Sequence, residues 1–184
     1  MMTDDERMQL KLLSFFLEYP DAGWFEGLAD AGAALKTVSA GPGREALRQF
    51  LDRAVGTPAI RLQEAYTAGF DLSPSTSLNL TYHLLGDSED RGRALARLVE
   101  IYRRGGWEAA AGELPDFLPL VLEFLAVCPA PEDADLLWDC LGSVESVAGR
   151  LAREAHPYAG LLALAAGILA DRTQDAPDSA GKDA

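Results

Sequence analysis

Residues 66–126 read YTAGFDLSPSTSLNLTYHLLGDSEDRGRALARLVEIYRRGGWEAAAGELPDFLPLVLEFLA, and the punctuation of this stretch decides the fold. Ser73 followed by Pro74 predicts a helix start, an N-cap with proline at the first helical position. Leu78, Tyr82 and Leu85 continue it, and Gly86 is placed as its left-handed stop. Asp87 or Ser88 caps the next helix, whose Leu95, Leu98, Val99 and Tyr102 recur at i, i+3, i+4 and i+7 until Gly105-Gly106. Pro115 at N1 and Asp116 predict another start, leading into an apolar run to Val127. Two-residue alternation and hairpin dipeptides find no place here or elsewhere in the chain, which reads as all-α.

The same grammar extends outward. Thr3 and Glu6 are spaced as a capping box ahead of Met8, Leu12, Phe15, Phe16 and Tyr19, and Pro20 ends that helix. Helices over residues 24–38 and 44–55 follow, separated by the Gly41-Pro42-Gly43 turn. Pro58 then opens one carrying Leu62, Ala65, Tyr66 and Phe70. Beyond Pro129 and Pro131, one long helix with a Leu137, Cys140, Leu141, Val144, Ala148 and Leu151 stripe runs to His156-Pro157. Residues 158–170 predict a last, strongly buried helix. The expectation is a single compact domain of about eight or nine helices over residues 1–170, with a disordered acidic tail at 171–184.

A chain of 184 residues, 48% apolar, suffices for one hydrophobic core. The net charge of −13 argues against nucleic acid, whose phosphates need a basic face. It either steers a cationic partner or serves only solubility. Cys128 and Cys140 have neither disulfide-framework nor metal-site spacing. The acidic N-terminus lacks the basic region of a signal peptide, and 158–170 is too short to span a bilayer. These features predict a cytoplasmic protein without direct membrane insertion. With two histidines, and no nucleophile elbow, Walker loop, zinc-protease or Cys-x-x-Cys motif, no catalytic and no metal-binding residues are expected.

Phe70-Asp71-Leu72, Leu80-Thr81-Tyr82, Gly86-Asp87, Arg91-Gly92, Ala94-Leu95, Glu113-Leu114-Pro115-Asp116 and Leu122-Glu123-Phe124 stand in a telling order. Their spacing resembles that of the NarJ-type assembly chaperones of respiratory nitrate reductase, in the redox-enzyme maturation chaperone family. Leu12 to Pro20 is similar to that family's opening helix. The resemblance implies an all-helical, cytoplasmic, non-catalytic protein. Its partner would be the apo form of the nitrate reductase catalytic subunit, bound at that subunit's N-terminal segment. The chaperone would keep the subunit competent to receive molybdopterin guanine dinucleotide, hold it from the membrane until loaded, and bind no cofactor tightly itself. Another molybdoenzyme with a twin-arginine signal peptide is the alternative client. A carrier of the molybdopterin itself would need a phosphate cradle, for which only the arginines between Arg91 and Arg104 are available.

Client-peptide binding then falls to a limited set of side chains. Tyr66, Phe70, Tyr82 and Tyr102 have the rigid apolar bodies and polar tips suited to gripping an amphipathic segment, or else they are core. Asp71, Asp87 and Asp116 are helix caps or partner contacts, and Asp87 is spaced to pair with Arg91. Asp116 and Glu123, with Glu113, form an acidic set beside an apolar helix, where basic client residues would meet them. On that view Asp116→Ala and Glu123→Ala weaken client binding and leave thermal stability nearly unchanged. His83 and Phe124 complete the set.

Overall fold

The computed structural model describes residues 2–108 and 112–173. In order these form α1 (Asp4–Phe16), α2 (Ala22–Leu35), α3 (Pro42–Gly56), α4 (Ala59–Tyr66), a π-helical turn (Thr67–Asp71) and a 3-10 turn (Pro74–Thr76). There follow α5 (Leu80–Leu85), α6 (Glu89–Arg104), α7 (Leu118–Val127), α8 (Asp135–Leu141), α9 (Ser143–Arg153) and α10 (Ala159–Thr173). Among the described residues there is no strand, only an isolated antiparallel bridge between Asn79 and Phe117. The chain is a single all-α domain, as its periodicity predicts.

The capping box forms as spaced: Thr3 Oγ1 accepts from the Glu6 amide at 3.1 Å, and the Glu6 carboxylate accepts from the Thr3 amide at 2.7 Å. α1 then lies along α7, a helix apolar on nearly every side and correspondingly buried. Arg7 reaches across from α1 and donates to the Ala126 carbonyl at 2.9 Å, placing a cation at the negative end of α7. α10 packs on α9 and α3. Tyr158, ahead of α10, centres an aromatic cluster with ring centroids 4.8 Å from Phe50, 5.3 Å from Phe70 and 5.6 Å from Tyr66.

Four boundaries depart from the sequence-based expectation. Pro74 opens only a 3-10 turn, and α5 starts at Leu80. The intervening backbone is taken by pairing, with the Leu80 amide on the Asp116 carbonyl (2.9 Å) and the Leu118 amide on the Leu78 carbonyl (2.8 Å). For the same reason Pro115 is not the first residue of α7, which begins at Leu118 with Pro119 in its first turn. The expected long helix is two, α8 and α9, meeting at Gly142. There the Ser143 hydroxyl donates to the Cys140 carbonyl at 2.7 Å, competing with the helical ladder. α10 extends to Thr173, so the tail expected from residue 171 begins inside a helix. Its remainder, residues 174–184, lies outside the described residues.

Candidate functional site

Asp116 is the joint around which the candidate site is built, and it is 0% exposed. Its Oδ2 accepts from Thr81 Oγ1 at 2.5 Å and from the Thr81 amide at 3.1 Å, and its Oδ1 accepts from Asn79 Nδ2 at 3.2 Å. The Arg91 guanidinium stands 3.6 Å away and also donates to Thr81 Oγ1 at 3.1 Å. One carboxylate thus ties the starts of α5 and α7 to α6. The surface-anchor role expected of Asp116 is corrected here, since a buried carboxylate held by three hydrogen bonds beside a guanidinium is structural and its loss must cost stability.

On one side of this joint a groove of about 260 Å³ opens between the π-turn, the 3-10 turn, α5 and α6. Phe70 and Tyr82 give it apolar walls, Leu72 stands 75% exposed at its mouth, and Asp71, Asp87 and Arg91 supply charge. Arg91 lies over the Tyr82 ring, 5.9 Å from its centroid, and 3.9 Å from Asp87. His83 does not line this groove; its Nε2 meets the Ser77 carbonyl at 2.8 Å and steadies the loop before α5.

The π-turn owes its shape to a close approach at Gly69, whose missing side chain leaves room for the His156 imidazole. His156 Nε2–H donates to the Ala65 carbonyl at 3.0 Å, and Nδ1 accepts from the Tyr158 amide at 3.4 Å, a pattern only the neutral ring satisfies. Burial pushes the His156 pKa below its ordinary 6.5, against weaker upward pulls from the Ala65 hydrogen bond and the Glu154 charge. A depressed folded value means that this stability is fully present above pH 6.5 and is lost as pH falls through the lowered pKa. Thermal melts across that range should show an acid-side loss that His156→Gln lacks. A variant profile parallel to the wild type would remove His156 as its source.

Across the Asn79–Phe117 bridge lies a second groove, about 490 Å³, between α1, α2 and the start of α7. Phe15 and Trp24 stack on its floor, with centroids 5.5 Å apart and an interplanar angle of 9°, and Trp24 Nε1 donates to the Phe15 carbonyl at 2.7 Å. Tyr19, Phe117, Pro119 and Leu120 extend the apolar lining. Glu18, Asp21, Glu113 and Glu123 form the rim, and no Lys, Arg or His lines it. Burial raises the Glu18 pKa, as do the charges of Glu123, Glu113 and Asp21.

The structure therefore divides the predicted set. Phe70, Asp71, Tyr82, Asp87 and Arg91 converge on the first groove, and Glu123 lies on the second. Tyr66, Tyr102, Phe124 and Asp116 are buried. The Tyr66 hydroxyl donates to the Leu17 carbonyl at 2.9 Å, and that of Tyr102 to the Pro115 carbonyl at 2.5 Å, so these tyrosines brace walls and present no gripping surface. Phe124 packs against Tyr102 at 4.7 Å and Trp107 at 5.7 Å. Sequence reasoning missed Glu18, Asp21 and Trp24 entirely. The available signal was Glu18-Tyr19 beside the buried stripe of α1, followed three residues after Asp21 by a tryptophan.

The profile of the nitrate reductase delta subunit family matches residues 39–163, which include the first groove and the whole Asp116 joint. The chain belongs to that family. It is 32% identical to the "Probable nitrate reductase molybdenum cofactor assembly chaperone NarJ" of Bacillus subtilis, over 88% of each chain. It is 33% identical to the nitrate reductase molybdenum cofactor assembly chaperone NarJ of Escherichia coli, over 85% of this chain and 67% of that one. It is 34% identical to the "Probable nitrate reductase molybdenum cofactor assembly chaperone NarW" of the same bacterium, over 83% of this chain and 64% of the other. These relatives are named as assembly chaperones and not as catalysts. Among the described residues no cluster of His, Cys, Asp or Glu could hold a metal ion, and no helix is long and apolar enough to cross a membrane.

Proposed function

We propose that this delta-family chain is a cytoplasmic chaperone for the apo catalytic subunit of a respiratory nitrate reductase. It receives that subunit's N-terminal segment in the Tyr82 groove. It keeps the client open for molybdopterin guanine dinucleotide insertion and away from the membrane until the cofactor is in place. The observation that carries this reading is the convergence of Phe70, Asp71, Tyr82, Asp87 and Arg91, from three elements and a loop, on one open groove. Leu72 and Tyr82 offer apolar area to an anchoring side chain over the buried Phe70, while the charges beside them fix the segment's orientation.

Calorimetric titration of a peptide copying the client's N-terminus tests it. Leu72→Asp and Tyr82→Ala are each expected to weaken binding by about tenfold, roughly 1.4 kcal/mol. Leu72 is exposed enough for its variant to keep the wild-type melting temperature. Unchanged affinity in both variants would remove the groove from this role. Capture of a different molybdoenzyme from nitrate-respiring cells would reassign the client.

A further inference from the structure

We propose that the Trp24 groove is a second docking site, for a cationic amphipathic segment of a partner protein. The floor supplies one half of the argument. Phe15, Tyr19 and Phe117 are only partly covered, and Tyr19 is 44% exposed. With Trp24 beneath them they form a concave aromatic surface of a size to take one or two large apolar side chains.

The rim chooses the occupant. Several surface carboxylates are answered within the chain: Glu45 holds Arg48 at 2.7 Å and Glu100 holds Arg103 at 2.8 Å. Glu18, Glu113 and Glu123 have no such cation among the described residues. They face one another across an apolar floor, where each raises the energy of the ionised Glu18. A lysine or arginine arriving over the groove relieves that repulsion in a partly desolvated setting, where charge pairing is stronger than at an open surface. The same rim repels nucleic acid and anionic lipid. A second copy of a chain with net charge −13 is also disfavoured.

This inference is independent of the first groove's role, and the test keeps the two apart. The probe is a fluorescent synthetic helix with leucine on one face and lysine on the other, followed by anisotropy. Its twin with glutamate in place of lysine is the comparison. Wild-type protein is expected to bind the lysine helix and not the twin. Glu18→Gln/Glu123→Gln is expected to weaken binding by about tenfold, and Tyr19→Ser several-fold. Asp139→Asn/Glu145→Gln removes the same charge from α8 and α9, which line neither groove, and should leave binding intact, as should Tyr82→Ala. Equal weakening by both charge-removing doubles would reduce the effect to net charge and overturn the proposal. So would an unaffected Tyr19→Ser, or wild-type binding of the glutamate twin.

Discussion

Alanine at position 116 is expected to cost about 3–5 kcal/mol, a large part of the roughly 5–15 kcal/mol that holds a domain of this size together. The substitution removes the acceptor for the Thr81 amide, the Thr81 hydroxyl and Asn79 Nδ2, and leaves the Arg91 guanidinium beside an empty buried space. The two Thr81 donors are fully buried on the strength of this one carboxylate. Asparagine keeps the shape but turns an amide donor toward other donors, so it is expected to recover only part of the loss. Glu113→Ala, at an exposed carboxylate three residues earlier, should be nearly silent. Chemical denaturation monitored by circular dichroism reads all three. An Asp116→Ala midpoint within error of the wild type would mean that the buried network is not what joins α5, α6 and α7.

The second large effect is expected at Gly69. A methyl group there would lie 2.6 Å from His156 Cε1, and the backbone cannot yield easily because the Gly69 carbonyl accepts from buried Thr76 Oγ1 at 2.5 Å. Gly69→Ala therefore has to expel the imidazole. Overpacking of this kind costs about 1–3 kcal/mol. Losing the His156–Ala65 hydrogen bond adds roughly 1 kcal/mol. Because the π-turn carries Phe70 and Asp71, client affinity should fall along with stability. The diagnostic comparison is Gly69→Ala/His156→Ala, which should be less destabilised than the sum of the two single variants. Strict additivity would show that the two residues do not compete for the same space.

Both positions show how far residue types alone carry the inference. At the ends of helices they carried well, because caps are local: Thr3–Glu6 close their box and Gly86 adopts φ +56°. Pro115-Asp116 followed the same rule and misled. A capping aspartate and a buried acceptor look identical in sequence, and here the deciding partners Thr81 and Arg91 lie 35 and 25 positions away in the chain. Tyr66 and Tyr102 misled in the opposite sense, since an aromatic with a polar tip suits a binding surface and a braced interior wall equally.

The Trp24 groove marks the boundary most clearly. Its apolar floor was visible as the stripe Phe15, Phe16, Tyr19, but helical period says only that one face is apolar, not how completely a neighbour covers it. Crossing of α1 with α2 and α7 buries Phe16 fully and leaves Phe15 and Tyr19 partly open. The same crossing draws in Glu113 and Glu123 from nearly a hundred positions away. The amino-acid sequence by itself determined the all-α class and most helix starts and stops, because these rest on short-range backbone chemistry and composition. Which acid is buried, which aromatic stays open and which carboxylates meet without a cation were decided only by the tertiary structure, since exposure and charge proximity belong to packed surfaces and not to positions along a chain.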